Sequence, residues 1–180
     1  QNLFRMTGDV RYADYYERAM FNHILSTQHP EHGGYVYFTS ARPAHYRVYS
    51  APNSGMWCCV GTGMENHGKY GEFIYTHTDD ELYVNLFVAS QLNWKEKKFV
   101  IKQETNFPSE ETVRLTVDSR KAQTLKIKIR CPWWVKPGEM KVICKGKDYA
   151  VGAQPSSYIE IERRWKKGDV IEVTMPMTIT

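Results

Sequence analysis

Leu125-Lys126-Ile127-Lys128-Ile129-Arg130 alternates apolar and basic residues without a break. A period of two puts Leu125, Ile127 and Ile129 on one face of a strand and the three cations on the other, predicting one buried face and one wet face. On that reading the cations form a solvated sheet surface, not a binding stripe. The same alternation recurs at Leu82-x-Val84-x-Leu86-x-Val88, Val113-x-Leu115-x-Val117, Ile159-x-Ile161 and Ile171-x-Val173, between turns such as Asn106–Pro108 and Lys136–Gly138. Short alternating strands at this spacing predict an antiparallel β-sandwich from about Glu72 onward.

Ahead of Glu72 the period is different. Gln1 to Met6 reads as the last turns of a helix stopped by Thr7-Gly8, and Asp9 caps a second helix over Val10–Leu25, with Tyr12, Tyr15, Tyr16, Ala19, Met20 and Ile24 at helical spacing. Two such helices leave an apolar face uncovered, so further helices are expected, and with no initiator Met the chain reads as a fragment. From Ser26 to Trp57 the periodicity stops. Pro30, Gly33-Gly34, Pro43, Pro52 and Gly55 break the segment into loops, with a short strand predicted at Tyr35–Thr39. A connection this long and this aromatic is expected to form a site. The block after it carries Gly61, Gly68 and Gly71, where a neighbour or a substrate is expected to approach the backbone.

Composition narrows the function. The 180 residues hold 24 basic and 20 acidic side chains, a net charge of +4 too evenly mixed for a phosphate-binding surface, which argues against nucleic acid. No apolar run is long enough to span a membrane or to serve as a signal-peptide core. Residues 1–70 contain five of the 6 histidines, eight of the 12 tyrosines and the pair Cys58-Cys59, so any chemistry is expected there.

Adjacent cysteines cannot easily bridge each other. Spacing alone leaves three readings of Cys58-Cys59: two buried thiols, a zinc thiolate pair, or a nucleophile. The last two need an anionic sulfur, which a helix N-terminus or a metal favours.

The wording of three segments goes further. Gly55-Met56-Trp57-Cys58-Cys59-Val60-Gly61-Thr62-Gly63-Met64-Glu65-Asn66-His67, Tyr16-Glu17-Arg18-Ala19-Met20-Phe21-Asn22-His23-Ile24-Leu25 and Leu82-Tyr83-Val84-Asn85-Leu86-Phe87 resemble the cysteine-dependent β-L-arabinofuranosidases of glycoside hydrolase families 127 and 146. The resemblance implies an α+β chain: the last helices of an (α/α)6 catalytic barrel in residues 1–71, then an antiparallel β-sandwich in residues 72–180. It also implies a retaining hydrolase that releases β-L-arabinofuranose from plant-type oligosaccharides or polysaccharides. Its nucleophile is a cysteine thiolate in a zinc site of one Glu and three Cys, with a second Glu as general acid/base. By position in the block, Cys58 is then nucleophile and zinc ligand, and Cys59 a second zinc thiolate. Glu17 and Tyr37 match family residues that hydrogen-bond the arabinofuranose hydroxyls; without the resemblance they read as an exposed helix acid and a core aromatic.

The resemblance places the Glu-x-Cys ligand pair and the acid/base Glu upstream of Gln1, so the fragment alone is expected to be inactive and to hold zinc weakly or not at all. His67 receives no role. The aglycone contacts are expected largely from loops outside the chain, and the missing N-terminal part of the protein is its implied partner. A non-catalytic carbohydrate-binding or structural sandwich is the alternative, and a thiol redox domain is disfavoured because no Cys-x-x-Cys accompanies a βαβ pattern. The role favours a periplasmic or extracellular location.

Overall fold

The computed structural model describes residues 1–178, which form two compact units. One joins Gln1–Asp14 to the chain from Phe73 onward; the other is Tyr15–Glu72.

The first unit holds the ten strands found among the described residues. Strands β1 (Tyr75–His77), β2 (Glu81–Val84), β6 (Gln123–Cys131) and β9 (Ser157–Trp165) make one sheet in that order. The other sheet runs β3 (Ser90–Trp94), β4 (Phe99–Thr105), β5 (Thr112–Val117), β10 (Val170–Thr174), β7 (Lys141–Cys144) and β8 (Lys147–Asp148). Leu82, Ile127, Ile129 and Ile161 from the first sheet and Ile101, Leu115, Val142 and Ile171 from the second belong to one buried cluster, which makes the pair a sandwich. All five alternating segments supply strands. Pairing is antiparallel throughout except where β2 runs parallel to β6, Leu82 opposite Ile127.

The first strand is shorter than the alternation predicts. β2 ends at Val84, because the next backbone groups find partners outside a ladder: the amide of Asn85 donates to the Ile74 carbonyl at 2.9 Å, and the Gln103 side-chain amide donates to the carbonyls of Leu86 and Val88 at 3.1 and 2.6 Å. Two hairpins that alternation does not announce, β3–β4 and β7–β8, complete the larger sheet. The second turns at Lys145-Gly146, both at positive φ, a conformation that suits the twist of a two-residue hairpin loop.

The wet face of β6 holds for two of its three cations. Lys126 and Lys128 reach Glu81 and Glu160 on the neighbouring strands at 3.0–3.3 Å. Arg130 departs from the expectation: it is fully buried, its guanidinium 2.7 Å from the Asp14 carboxylate and donating to the Asn85 carbonyl at 2.6 Å. Asp14 also accepts from the Ser156 hydroxyl at 2.6 Å. The cause is that helix α1 (Asn2–Thr7) covers this end of the outer face, where Phe4 packs edge-on against Phe73 and Tyr83. Gly8, in the left-handed region, closes α1, its amide donating to the Phe4 carbonyl at 2.7 Å.

Helix α2 (Val10–Ala19) starts as predicted, with the Asp9 carboxylate accepting from the Arg11 amide at 3.0 Å. It does not continue as one α-helix to Leu25. Met20–Ile24 widens into a π turn, with the Leu25 amide reaching back to the Met20 carbonyl, and Leu25–Thr27 tightens into a 3-10 turn. Within the second unit the expected strand at Tyr35–Thr39 is reduced to two isolated bridges, Gln28 with Tyr35 and Val36 with Tyr49. Helices α3 (Cys58–Gly68) and α4 (Gly71–Ile74) follow.

Among the helix glycines, one meets a neighbour within the described residues. A Cβ at Gly61, Gly68 or Gly71 would meet nothing among the described residues, whereas at Gly63 it would lie 2.7 Å from the Tyr35 ring. Gly63 therefore lets the long connection pack onto α3.

Candidate active site

The second unit assembles three of the four expected site residues around one sulfur. Cys58 is the first residue of α3, where unpaired amides and the helix dipole favour an anion. Its Sγ lies 3.6 Å from the Tyr37 hydroxyl and 3.8 Å from the Cys59 Sγ. Both cysteines are exposed among the described residues. The Tyr37 ring is fixed by edge contacts with Trp57 and Phe38, centroids 6.3 and 5.9 Å apart.

Hydrogen bonding in this group distinguishes the two thiols. Hydrogen bonds from Tyr37 and then Cys59 hold the Cys58 thiol below its ordinary pKa. The same bonds raise the two donors: Cys59 is pushed up chiefly by Cys58, and so is the Tyr37 phenol. The arrangement thus favours the anionic form of Cys58 over that of Cys59. Cys131 is its opposite, a buried thiol raised to about 11 by desolvation.

Glu17 is 3% exposed on α2, so it is not the exposed helix acid its sequence position suggests. His67 packs between Tyr35 and Tyr70 with Nδ1 2.7 Å from the Gly63 carbonyl. A cavity of about 180 Å³ at Cys59 is lined among others by Tyr37, His23, Thr39, Thr62 and Asn66, the last four of which sequence reasoning did not single out. For Thr62 and Asn66 a signal existed: they follow Cys59 by three and seven residues, one face of a helix.

Comparison with known proteins matches two consecutive family models. Residues 1–72 match the "Beta-L-arabinofuranosidase, GH127 catalytic domain" and residues 81–177 the "Beta-L-arabinofuranosidase, GH127 middle domain"; both models are of family 127, not 146. Among solved structures the chain is similar to one titled "Glycoside hydrolase", at 29% identity and a TM-score of 0.81 over 98% of this chain and 30% of that one. It is similar to Ara127N, a GH127 β-L-arabinofuranosidase from Geobacillus stearothermophilus T6, at 27% identity and a TM-score of 0.78 over 99% of this chain and 30% of that one. The GH127 β-arabinofuranosidase BT3674 is 27% identical with a TM-score of 0.81, over 98% of this chain and 30% of that one. The chain therefore spans about 30% of the length of these proteins. No curated protein matches. Two family models that together run nearly end to end, on an α+β chain whose sheets form an antiparallel-rich sandwich, leave one conclusion: the chain belongs to the GH127 β-L-arabinofuranosidase family.

Proposed function

We propose that residues 1–180 are part of a retaining glycoside hydrolase that releases β-L-arabinofuranose from oligosaccharides or polysaccharides, with Cys58 as nucleophile. The observation that carries this is the exposed Cys58 sulfur on a helix N-terminus with a phenol and a second thiol turned toward it. Residues 1–71 are then the end of the catalytic barrel and 72–180 the sandwich, and the role favours the periplasm or the exterior.

Cys58 attacks the anomeric carbon as a thiolate, forming a sulfur–carbon bond. The carbon–oxygen bond to the aglycone breaks with its electron pair, and the departing oxygen takes a proton from a carboxylic acid outside residues 1–180. Water then displaces the sulfur and restores both groups. Glu17 and Tyr37 hold sugar hydroxyls in this reading, and the Tyr37 hydrogen bond also keeps Cys58 ionised. A buried carboxylate suits such a role because it is desolvated before the ligand arrives.

Zinc fits the two thiols. Two sulfurs at zinc–sulfur bonds of about 2.3 Å and a tetrahedral angle lie about 3.8 Å apart, and Cys58 and Cys59 are 3.8 Å apart without rearrangement. Bound there with two further ligands from outside the chain, zinc would supply a positive charge that keeps the sulfur anionic.

In the full-length protein Cys58→Ala is expected to abolish turnover of an aryl β-L-arabinofuranoside, Cys59→Ala to lower it together with zinc content, and Glu17→Ala to raise KM more than it lowers kcat. Near-wild-type turnover by Cys58→Ala would overturn the nucleophile assignment.

A further inference from the structure

We propose that Ser50 is a positioning residue for the hydrolytic site: by holding both backbone groups of Tyr35, it sets where the Tyr37 hydroxyl stands beside the Cys58 sulfur. The inference deepens the hydrolase reading and rests on it.

Tyr37 needs such a support. It lies in a connection with neither helix nor strand of its own from Gln28 to Trp57, yet its hydroxyl meets the Cys58 Sγ at 3.6 Å across 21 residues. Two residues earlier, Tyr35 is fixed on three sides. On one, the His29 amide donates to the Gly34 carbonyl at 2.8 Å and the Val36 amide to the Thr27 carbonyl at 2.9 Å, which closes the turn without using the amide or carbonyl of Tyr35 itself. Those two groups both go to Ser50. The Ser50 amide donates to the Tyr35 carbonyl at 2.9 Å, and the Ser50 hydroxyl oxygen accepts from the Tyr35 amide at 3.0 Å. On the third side the Tyr35 ring lies over Gly63 of α3, the helix that begins at Cys58.

A regular antiparallel pair would use the Ser50 carbonyl for the second of these bonds. Here that carbonyl faces Gly34 so closely that a Cβ on Gly34 would overlap it, and the side-chain oxygen serves as the acceptor instead. Ser50 is buried, so removing that oxygen would leave the Tyr35 amide without its acceptor. The consequence travels along the chain. Residues two apart in extended backbone share a face, and Tyr35 and Tyr37 both reach α3, one at Gly63 and the other at Cys58. Tyr35 thus registers the connection against α3, and Ser50 holds Tyr35.

The test is a double-variant cycle in the full-length protein, read on an aryl β-L-arabinofuranoside. Ser50→Ala is expected to lower kcat/KM about 10- to 100-fold, the scale of an ångström-sized misplacement of a site group, with the loss divided between kcat and KM as it is in Tyr37→Phe. Ser50→Thr, which keeps the hydroxyl, should restore most of the activity. In the Tyr37→Phe background Ser50→Ala should cost less than about twofold, because the hydroxyl it positions is already gone. Ser50→Cys, the same shape with a weaker acceptor, takes the place of Ser50→Ala throughout if circular dichroism shows that variant to be unfolded. Equal losses in both backgrounds, or no loss in either, would overturn the positioning role alone. An active wild type with an unimpaired Tyr37→Phe would overturn the Tyr37 role and the positioning with it, and a wild type without turnover would overturn the hydrolase reading itself.

Discussion

At the scale of single residues, four cysteines with the same side chain differ in what surrounds the sulfur. Cys58 is exposed with its thiol held below its ordinary pKa by Tyr37 and Cys59, Cys59 is exposed with its thiol pushed up by Cys58, and Cys131 and Cys144 are buried in the sandwich core. Thiolate fraction and access together set the rate of alkylation. Limiting iodoacetamide at neutral pH, on the full-length protein treated with a chelator, is therefore expected to label Cys58 first, Cys59 later, and Cys131 and Cys144 last. Tyr37→Phe should narrow the gap between the first two; peptide mass mapping reads the order, and labelling of Cys59 ahead of Cys58 would contradict the charge placement. The cysteine pair was legible in the wording of its block. Its phenol partner was not legible as a partner, because 21 residues of aperiodic chain separate Tyr37 from Cys58 and no spacing rule spans them. Gly63 was missed for a related reason: four glycines look alike in sequence, and only the position of the Tyr35 ring distinguishes one of them.

At the scale of elements, β6 shows how far alternation reaches. Its buried face follows directly from Leu125, Ile127 and Ile129, while the fate of its cations depends on what lies over each of them. Arg130 is paired with Asp14, 116 residues earlier, a relation that no local pattern encodes. Removing one partner of a buried pair leaves the other charged and desolvated, so Asp14→Ala should destabilise the fold by about 3–5 kcal/mol. Denaturant unfolding of the full-length protein measures it, and a loss below about 1 kcal/mol would mean that the pair is not desolvated as described. On the strands flanking β6, Glu81 is held below the usual carboxylate range first by the Tyr83 hydroxyl and then by Lys128 and Lys126, and Glu160 first by Lys128 and then by Lys126. A carboxylate lowered in the folded state contributes stability that is present above its unfolded pKa and lost as pH falls through its folded one. The thermal midpoint should therefore fall as pH drops below about 4.3, the ordinary Glu value, and the double variant Glu81→Gln/Glu160→Gln should flatten that fall. An unchanged slope would show that these pairs do not couple to folding.

At the scale of the whole molecule, a change of hydrophobic period was enough to announce helices followed by a sandwich, because each strand needs only one apolar face to be recognised. Sheet order and the parallel pairing of β2 with β6 were not legible, since pairing is a relation between strands and not a property of either. The same limit applies to the active site. Under the proposed mechanism residues 1–180 provide Glu17, Tyr37, Cys58 and Cys59, and the general acid and two zinc ligands come from outside them. Departure of a sugar alkoxide without protonation is slow, general acid assistance contributing about 10²–10⁴-fold. Tyr37 and Cys59 favour the Cys58 thiolate, but a nucleophile does not replace the proton that the leaving oxygen needs. Residues 1–180 expressed alone are therefore expected to show no turnover of an aryl β-L-arabinofuranoside, with or without added zinc, under conditions in which the full-length protein is active. Near-ultraviolet circular dichroism of the same preparation distinguishes a folded, inactive chain from an unfolded one. Zinc-dependent turnover by residues 1–180 would place the missing ligands and the acid within this chain and would require a second search of its carboxylates, with buried Glu17 the first to be tested.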